Sequence, residues 1–546
     1  MPKPTPDLRT ANVHLDVQKC SNIQGLQEQA QKYWGLRRIQ PYFPSIQKLF
    51  KLENVRMPYH YGLKLRLPIQ TISSDATVYT SGKEVPIHLK KTMLYSPYRV
   101  MHGEYAGTGL PNTDDVSAEP LRIQNSYNAA YVGSLASLVL SESECQHFPR
   151  VYGVFSGIAE RHVLDISDDY EDLCDRPWFS QNIGHFFDLR LRKPEVPVLQ
   201  LSEETEAIDL GAVDLEPLAL PTPPLPSNGY DGDNEETPEE MGESDSCSTD
   251  YIFGVRSCGS DSESDEDEDM DDDDDESEET GDGFSEDEHD EAFAHAVFKD
   301  APIQVTVMEK CSGTLYTLFK ENPDIQKRCA WLAQVIFALA YAQRTFAFVH
   351  NDLHVMNVMH VPTAAEYFYY IVGGRSYRVP TYGKLIKIID FDRSTLSVKI
   401  PKMRDSKFFM SDQFEQEEEA GGQYNTQPFY NPKYPEVKPN PSFDLVRLAS
   451  SIFLKCFPNG NEGSSTDSVP LYKLFKRWLT LPDGSSVLFR TDGVHERFRG
   501  FQLYKAIARF ARDAVPRKQI EQNHIADEYL FAEKLPMGVT CLLIEP

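Results

Sequence analysis

Phe348-Val-His-Asn-Asp-Leu-His-Val-Met-Asn-Val-Met359 is the stretch whose reading decides the fold, and Lys387-Ile-Ile-Asp-Phe-Asp392 follows some thirty residues on. The first segment sets an acid, Asp352, five positions before an amide, Asn357. The second ends an apolar run, Leu385 to Ile389, that reads as a buried strand finishing in Asp390. Two carboxylates and an amide oxygen can hold a hard cation and take a proton from a hydroxyl. Taken singly, the first segment also reads as an Asn- and Asp-rich turn after a buried helix, and the second as a strand-ending acid.

The flanks narrow the choice. Asp324 to Phe346 carries Trp331, Leu332, Val335, Ile336 and Leu339 on the stripe of a helix packed along one face. Before it, Val305 to Leu315 reads as a strand followed by a turn, and Glu84 to Lys91 as a strand ending in a basic pair. Pro441 to Ile452 reads as an apolar helix with Asp444 near its start, where an acid also serves as a cap. Glu366 to Val372, Gly373-Gly374 and Arg375 to Val379 predict a β-hairpin with a two-residue glycine turn and half-buried tyrosines. Leu471 to Leu479 and Phe498 to Ala514 predict two amphipathic helices.

His350-Asn-Asp-Leu353 with Asn357 resembles the catalytic loop H-R-D-L-x-x-x-N of protein kinases, and Asp390-Phe-Asp392 stands where they have D-F-G. The resemblance implies that Asp352 is the catalytic base, in a loop it shares with His350 and His354, and that Asn357 and Asp390 ligate magnesium or manganese on ATP. It makes Lys90 the phosphate-binding lysine, with Lys91 the other candidate. Met308 becomes the gatekeeper, the backbone of Glu309 to Cys311 meets the adenine edge, and Asp444 ties the catalytic loop to the larger lobe.

Together with Leu89-Lys-Lys-Thr-Met-Leu-Tyr-Ser-Pro97, Asn128-Ala-Ala-Tyr-Val132, Ser411-Asp-Gln-Phe414, Gln423-Tyr-Asn425 and Ser442-Phe-Asp-Leu-Val-Arg447, these motifs resemble the divergent kinase-like proteins of large nucleocytoplasmic DNA viruses, over about residues 35 to 530. The implied class is α+β: a bilobal kinase-like fold with a long disordered acidic insertion. Residues 1–50 would be an N-terminal extension, 51–202 the first lobe, 203–295 the insert, and 296–546 the hinge and second lobe.

Four departures stand out. No G-x-G-x-x-G precedes Lys90; Tyr61 to Gly82 holds only isolated glycines. The helix expected over Asn125 to Leu140 has no interior glutamate to pair with the lysine, since Glu119 and Glu142 lie outside that span. Asp392 replaces the D-F-G glycine, as a further metal ligand or as a stiffener of the segment. Asn351 and His354 replace the usual arginine and lysine, a spelling shared with kinases of small molecules. A zinc site at His350 and His354 is argued against by the lack of further ligands at suitable spacing and of H-E-x-x-H, so His350 reads as a loop brace.

The chain has 546 residues and a formal charge of −30, of which 21 acids fall within residues 261–291, leaving about −9 elsewhere. That run cannot bury enough apolar surface to offset its ordering entropy and is expected to be disordered, a solvated spacer or a docking arm for basic partners. Ser262, Ser264 and Ser285 each have an acid three positions on, which suits an acidophilic kinase. The charge argues against nucleic acid as a direct partner. Nine cysteines without C-x-x-C, an N-terminus without an apolar signal core and no run of membrane-spanning length point to an intracellular protein of cytoplasm or nucleus, or of the virion.

The reading is an ATP-dependent kinase that passes the γ-phosphate to serine or threonine of a protein, a basic one being the candidate partner. Its rivals are a pseudokinase scaffold with an acidic docking arm and a kinase of a small-molecule hydroxyl.

Overall fold

Two long strands, Val151–Asp165 and Ala294–Glu309, pair antiparallel along almost their whole length and organise the first half of the molecule. The computed structural model describes residues 15–192 and 293–544, apart from residues 21–22, 51, 53–59, 106, 108, 112–119, 144, 401–402, 459–468, 492, 494, 523–525, 534, 537–538 and 540. Across the sheet the order is Leu36–Gln40, Val151–Asp165, Ala294–Glu309, Lys83–Met93, Thr77–Thr80 and Thr71–Ile72, and Asp188–Leu191 pairs with the near end of Ala294–Glu309. Neighbouring strands are antiparallel throughout.

The central strand Ala294–Glu309, with Val297, Ile303, Val305 and Val307, is buried on both faces because each face has a helical cover. Helix Ile23–Trp34 buries Leu26, Ala30 and Trp34 against Ile87, Ile303 and Val305 on one side. Helix Ala129–Glu142 lies on the other, where Ser134 Oγ meets Thr306 Oγ1 at 2.9 Å. It starts four residues later than the sequence suggests, because Asn128 serves as its cap: Asn128 Oδ1 accepts from the Ala130 amide at 3.0 Å.

The division at residue 50 is not a division of the structure. Leu36 stands opposite Ala159, so the expected N-terminal extension contributes an edge strand and a covering helix, held by burial of Trp34, Leu36 and Ile39. The expected disordered insert, 203–295, lies outside the described residues except at its end, where Ala294 and His295 are strand residues. The strand before it and the strand after it are partners, with Leu191 opposite Ala294, so the chain leaves and returns at adjacent points.

The second half is mainly helical. Helix Ile325–Phe346 is capped by Asp324, whose Oδ1 accepts from the Gln326 amide at 2.9 Å. Helices Pro470–Leu479 and Pro516–Glu521 pack on it, and helix Phe443–Cys456 packs in turn on Pro470–Leu479 and Phe501–Phe510. A three-stranded sheet, Gly313–Thr314, Val358–Pro362 and Lys384–Ile388, lies at its front. The hairpin forms as Tyr367–Val372 and Arg375–Pro380, with Gly373 and Gly374 at φ 55° and 81°, the left-handed pair a tight hairpin turn needs. Cys541–Ile544 adds a parallel strand to it. The class is α+β. No helix among the described residues is long and apolar enough to cross a membrane.

Candidate active site

The loop carrying Asp352 begins where helix Ile325–Phe346 ends in a left-handed residue, Ala347, at φ 47°. Val349 then exchanges backbone hydrogen bonds with Thr395, 3.0 and 2.8 Å. The carboxylate of Asp444, fully buried, accepts from the His350 amide at 3.1 and 3.0 Å and from the Asn351 amide at 3.0 Å. Those bonds satisfy both buried amide donors and hold Asn351 at φ 66°. Burial lifts the Asp444 carboxyl to about 6.

His350 is buried and serves the loop rather than a substrate. Its Nδ1 accepts from the Asp352 amide at 3.3 Å, which leaves the proton on Nε2 to donate to Ile389 O at 2.7 Å. Both ring nitrogens are engaged by backbone atoms, the geometry of a loop brace. His354 donates its amide to Asp352 O at 3.0 Å, and burial pushes its imidazole below the ordinary value.

Asp352 Oδ1 accepts from the Tyr504 hydroxyl at 2.6 Å, and that hydroxyl accepts in turn from Arg447 Nε at 3.0 Å. Burial works against its charge, yet Arg393 and Arg447, with His354 and the Tyr504 hydrogen bond, hold its carboxyl below the usual range. An anionic, oriented carboxylate of this kind can receive a proton.

Asn357 and Asp390 flank one ladder: Val358 stands opposite Ile388, and the Ile389 amide donates to Asn357 O at 3.0 Å. Asn357 Nδ2 donates to Asp352 O at 2.9 Å, so its carbonyl oxygen is the atom the side chain has left to offer. Asp390 sits at φ 63° with its carboxylate 46 % exposed. Lys90, on strand Lys83–Met93, puts Nζ 2.5 Å from Asp390 Oδ1 and 2.8 Å from Asp392 Oδ1. Burial opposes ionisation of Asp390, but the Lys90 ammonium overrides it and holds the carboxyl at about 2. Asp392 is lifted by burial and by the charge of Asp390, against the pull of Lys90.

Lys91 does not join this set. Successive strand residues face opposite ways, and Lys91 Nζ lies 3.4 Å from Trp34 O under the other cover of the sheet. Met308 is buried in the sheet opposite His88 and Val151. The Glu309 amide is already bonded to Arg150 O at 2.8 Å, so that amide is not one that can meet an adenine edge. The Glu309 carboxylate instead pairs with the buried Lys387 at 2.9 Å. Cys311 is partly buried, and burial lifts its thiol to about 11. In place of a glycine-rich loop, Ser73 to Ala76 form a tight turn in which the Ser74 and Thr77 hydroxyls meet at 2.7 Å and Ala76 O accepts from the Ile87 amide at 2.9 Å.

Four residues of the site were not assigned from sequence. Tyr504 comes from a helix 152 positions away, a separation that no local pattern reveals. Tyr424 donates to Asn351 Oδ1 at 2.6 Å, so Gln423-Tyr-Asn425 anchors the Asp352 loop from outside. Asp412 Oδ1 accepts from the Ala129 amide at 2.9 Å, so Ser411-Asp-Gln-Phe414 caps helix Ala129–Glu142. Gly133 touches Asp392; the signal for it was a glycine inside an otherwise strong helix, which costs about 1 kcal/mol relative to alanine.

No family model matches the chain. Over 71 residues, 13 % of this chain, it is 32 % identical to "Uncharacterized protein ZK177.2" of Caenorhabditis elegans. That match covers 24 % of the worm protein's length, so the chain spans about a quarter of the curated relative it resembles.

Proposed function

We propose that the protein is a bilobal, kinase-like phosphotransferase of the divergent viral type, which uses ATP with magnesium or manganese to phosphorylate serine or threonine of proteins inside the cell. The observation that carries this reading is the meeting of Lys90 with Asp390 across 300 positions, beside the loop that holds Asp352 and Asn357. Both parts of the molecule contribute, one giving the cation and the other the acids.

The donor set fits the metal: a half-open carboxylate and an amide oxygen are hard ligands, and the backbone bond between Ile389 and Asn357 keeps the two strand ends together. Metal-bound ATP would supply the transferable phosphoryl group and the charge that makes it electrophilic. Lys90 offers a fixed cation to the phosphates. Asp352, kept anionic by Arg393 and Arg447, orients the acceptor hydroxyl and takes its proton late. His350, Asp444 and Tyr424 hold the loop so that this geometry needs little reorganisation.

A scaffold without turnover is the second reading. It is favoured by the tight Ser73–Ala76 turn in place of a glycine loop and by the engagement of Asp352 with Tyr504. Labelled ATP supplied with a basic protein mixture and with a pool of small hydroxyl compounds separates the cases. The account expects label on serine and threonine of protein; label on small molecules alone, or none, rejects it.

A further inference from the structure

The carboxylate that steadies Lys90 does not come from the neighbouring helix. Lys90 stands opposite Thr306, on the sheet face covered by helix Ala129–Glu142, yet the one acid of that helix, Glu142, bonds Arg66 Nε at 3.0 Å at the far end. Asp392 fills the place. Its Oδ1 lies 2.8 Å from Lys90 Nζ and its Oδ2 3.3 Å from Thr92 Oγ1, two side chains projecting from the same face of one strand.

The approach is possible because residue 133 has no side chain. A Cβ there would lie 1.9 Å from Asp392 Oδ1 and 3.0 Å from its Cα. We propose that Asp392 is the positioning residue for Lys90, holding the ammonium ready for nucleotide phosphate, and that Gly133 is the gap in the helix that admits it. This rests on the nucleotide-site reading above. Both oxygens of Asp392 are engaged by side chains of the sheet, whereas Asp390 is the more open of the two acids, 46 % against 22 % exposed. The two acids therefore divide the work: Asp390 turns to a metal while Asp392 stays on the lysine. Lys90 is then set by the segment that follows Asp390, so that displacing the helix does not require breaking a lysine–glutamate pair.

Two readouts test this on the full chain. Acylation of Lys90 by sulfosuccinimidyl acetate at pH 9, followed by mass spectrometry, reports how tightly the ammonium is held without any nucleotide. Asp392→Asn is expected to raise the Lys90 rate at least threefold (~0.5 unit of lysine pKa), and Gly133→Ala to do the same by expelling Asp392, in protein whose melting shows it folded. With magnesium and a fluorescent N-methylanthraniloyl ATP, Asp392→Asn and Lys90→Met each weaken binding, and the double variant is no weaker than Lys90→Met alone. Unchanged Lys90 acylation in Asp392→Asn would overturn the proposal. So would additive losses in the double variant, or an effect of Asp392→Asn confined to the magnesium dependence, which would make it a metal ligand. If wild type fails to bind the probe, the nucleotide reading falls, while the anchoring of Lys90 is still decided by acylation.

Discussion

The Tyr504 hydroxyl donates to Asp352 Oδ1 at 2.6 Å from a helix that lies 152 positions further along the chain. In the proposed reaction an acceptor hydroxyl would reach the same carboxylate, so the phenol occupies the kind of hydrogen bond that such a substrate would make. Tyr504→Phe removes the competitor and keeps the ring packed against Phe443 and Phe501. The expected result is an acceptor KM lowered about fivefold, the worth of roughly 1 kcal/mol, with kcat within about twofold. A large loss of kcat in steady-state kinetics would make Tyr504 part of the machinery instead.

Asp444 is expected to act as the buried tie of the Asp352 loop, not merely as a residue at a helix start. Asp444→Ala strands the His350 and Asn351 amides without an acceptor, at a cost of about 2–4 kcal/mol in urea unfolding. A loss near 1 kcal/mol is what removal of an ordinary helix cap gives, and that result would reduce Asp444 to a cap.

Asp412 sets a pH dependence whose sign follows from its burial. Burial, despite Arg122 nearby, lifts its carboxyl from 3.8 to about 7, so the folded state holds a proton that the unfolded state has released across that window. Its contribution to stability is full below about pH 4 and is lost as the pH rises through 7. Asp412→Asn should therefore flatten the fall of melting temperature between pH 4 and pH 7 relative to wild type, leaving the smaller slope of the same sign from Asp444, whose carboxyl stands at about 6. Equal slopes in variant and wild type would show that Asp412 ionises like an exposed acid.

Local pattern carried much of the fold into view. The helix over Ile325–Phe346 announces itself by its apolar stripe and Asp324 cap, and the hairpin at Gly373-Gly374 by its turn chemistry, because both depend on residues close in sequence. Lys90, Asp352, Asn357 and Asp390 are candidates from the sequence because their types and spacing suit one chemistry, and the contact between Lys90 and Asp390 brings two of them together. What stayed hidden depends on long-range contact. The lack of an interior glutamate in helix Ala129–Glu142 is visible in the sequence, whereas the approach of Asp392 to Lys90 depends on its close contact with Gly133. The choice between Lys90 and Lys91 turned on which face of the strand is covered by which helix. The roles of Tyr424, Asp412 and Tyr504 arise from partners 73, 283 and 152 positions away.

The central claim is tested most directly by γ-phosphate transfer from labelled ATP, with magnesium and with manganese, to the protein itself and to a basic protein mixture, in wild type and Asp352→Asn. The account predicts transfer by wild type and a loss of at least ~100-fold in the variant, the scale of a removed general base, with nucleotide binding retained. Equal transfer by the two proteins, or none by wild type, would contradict it.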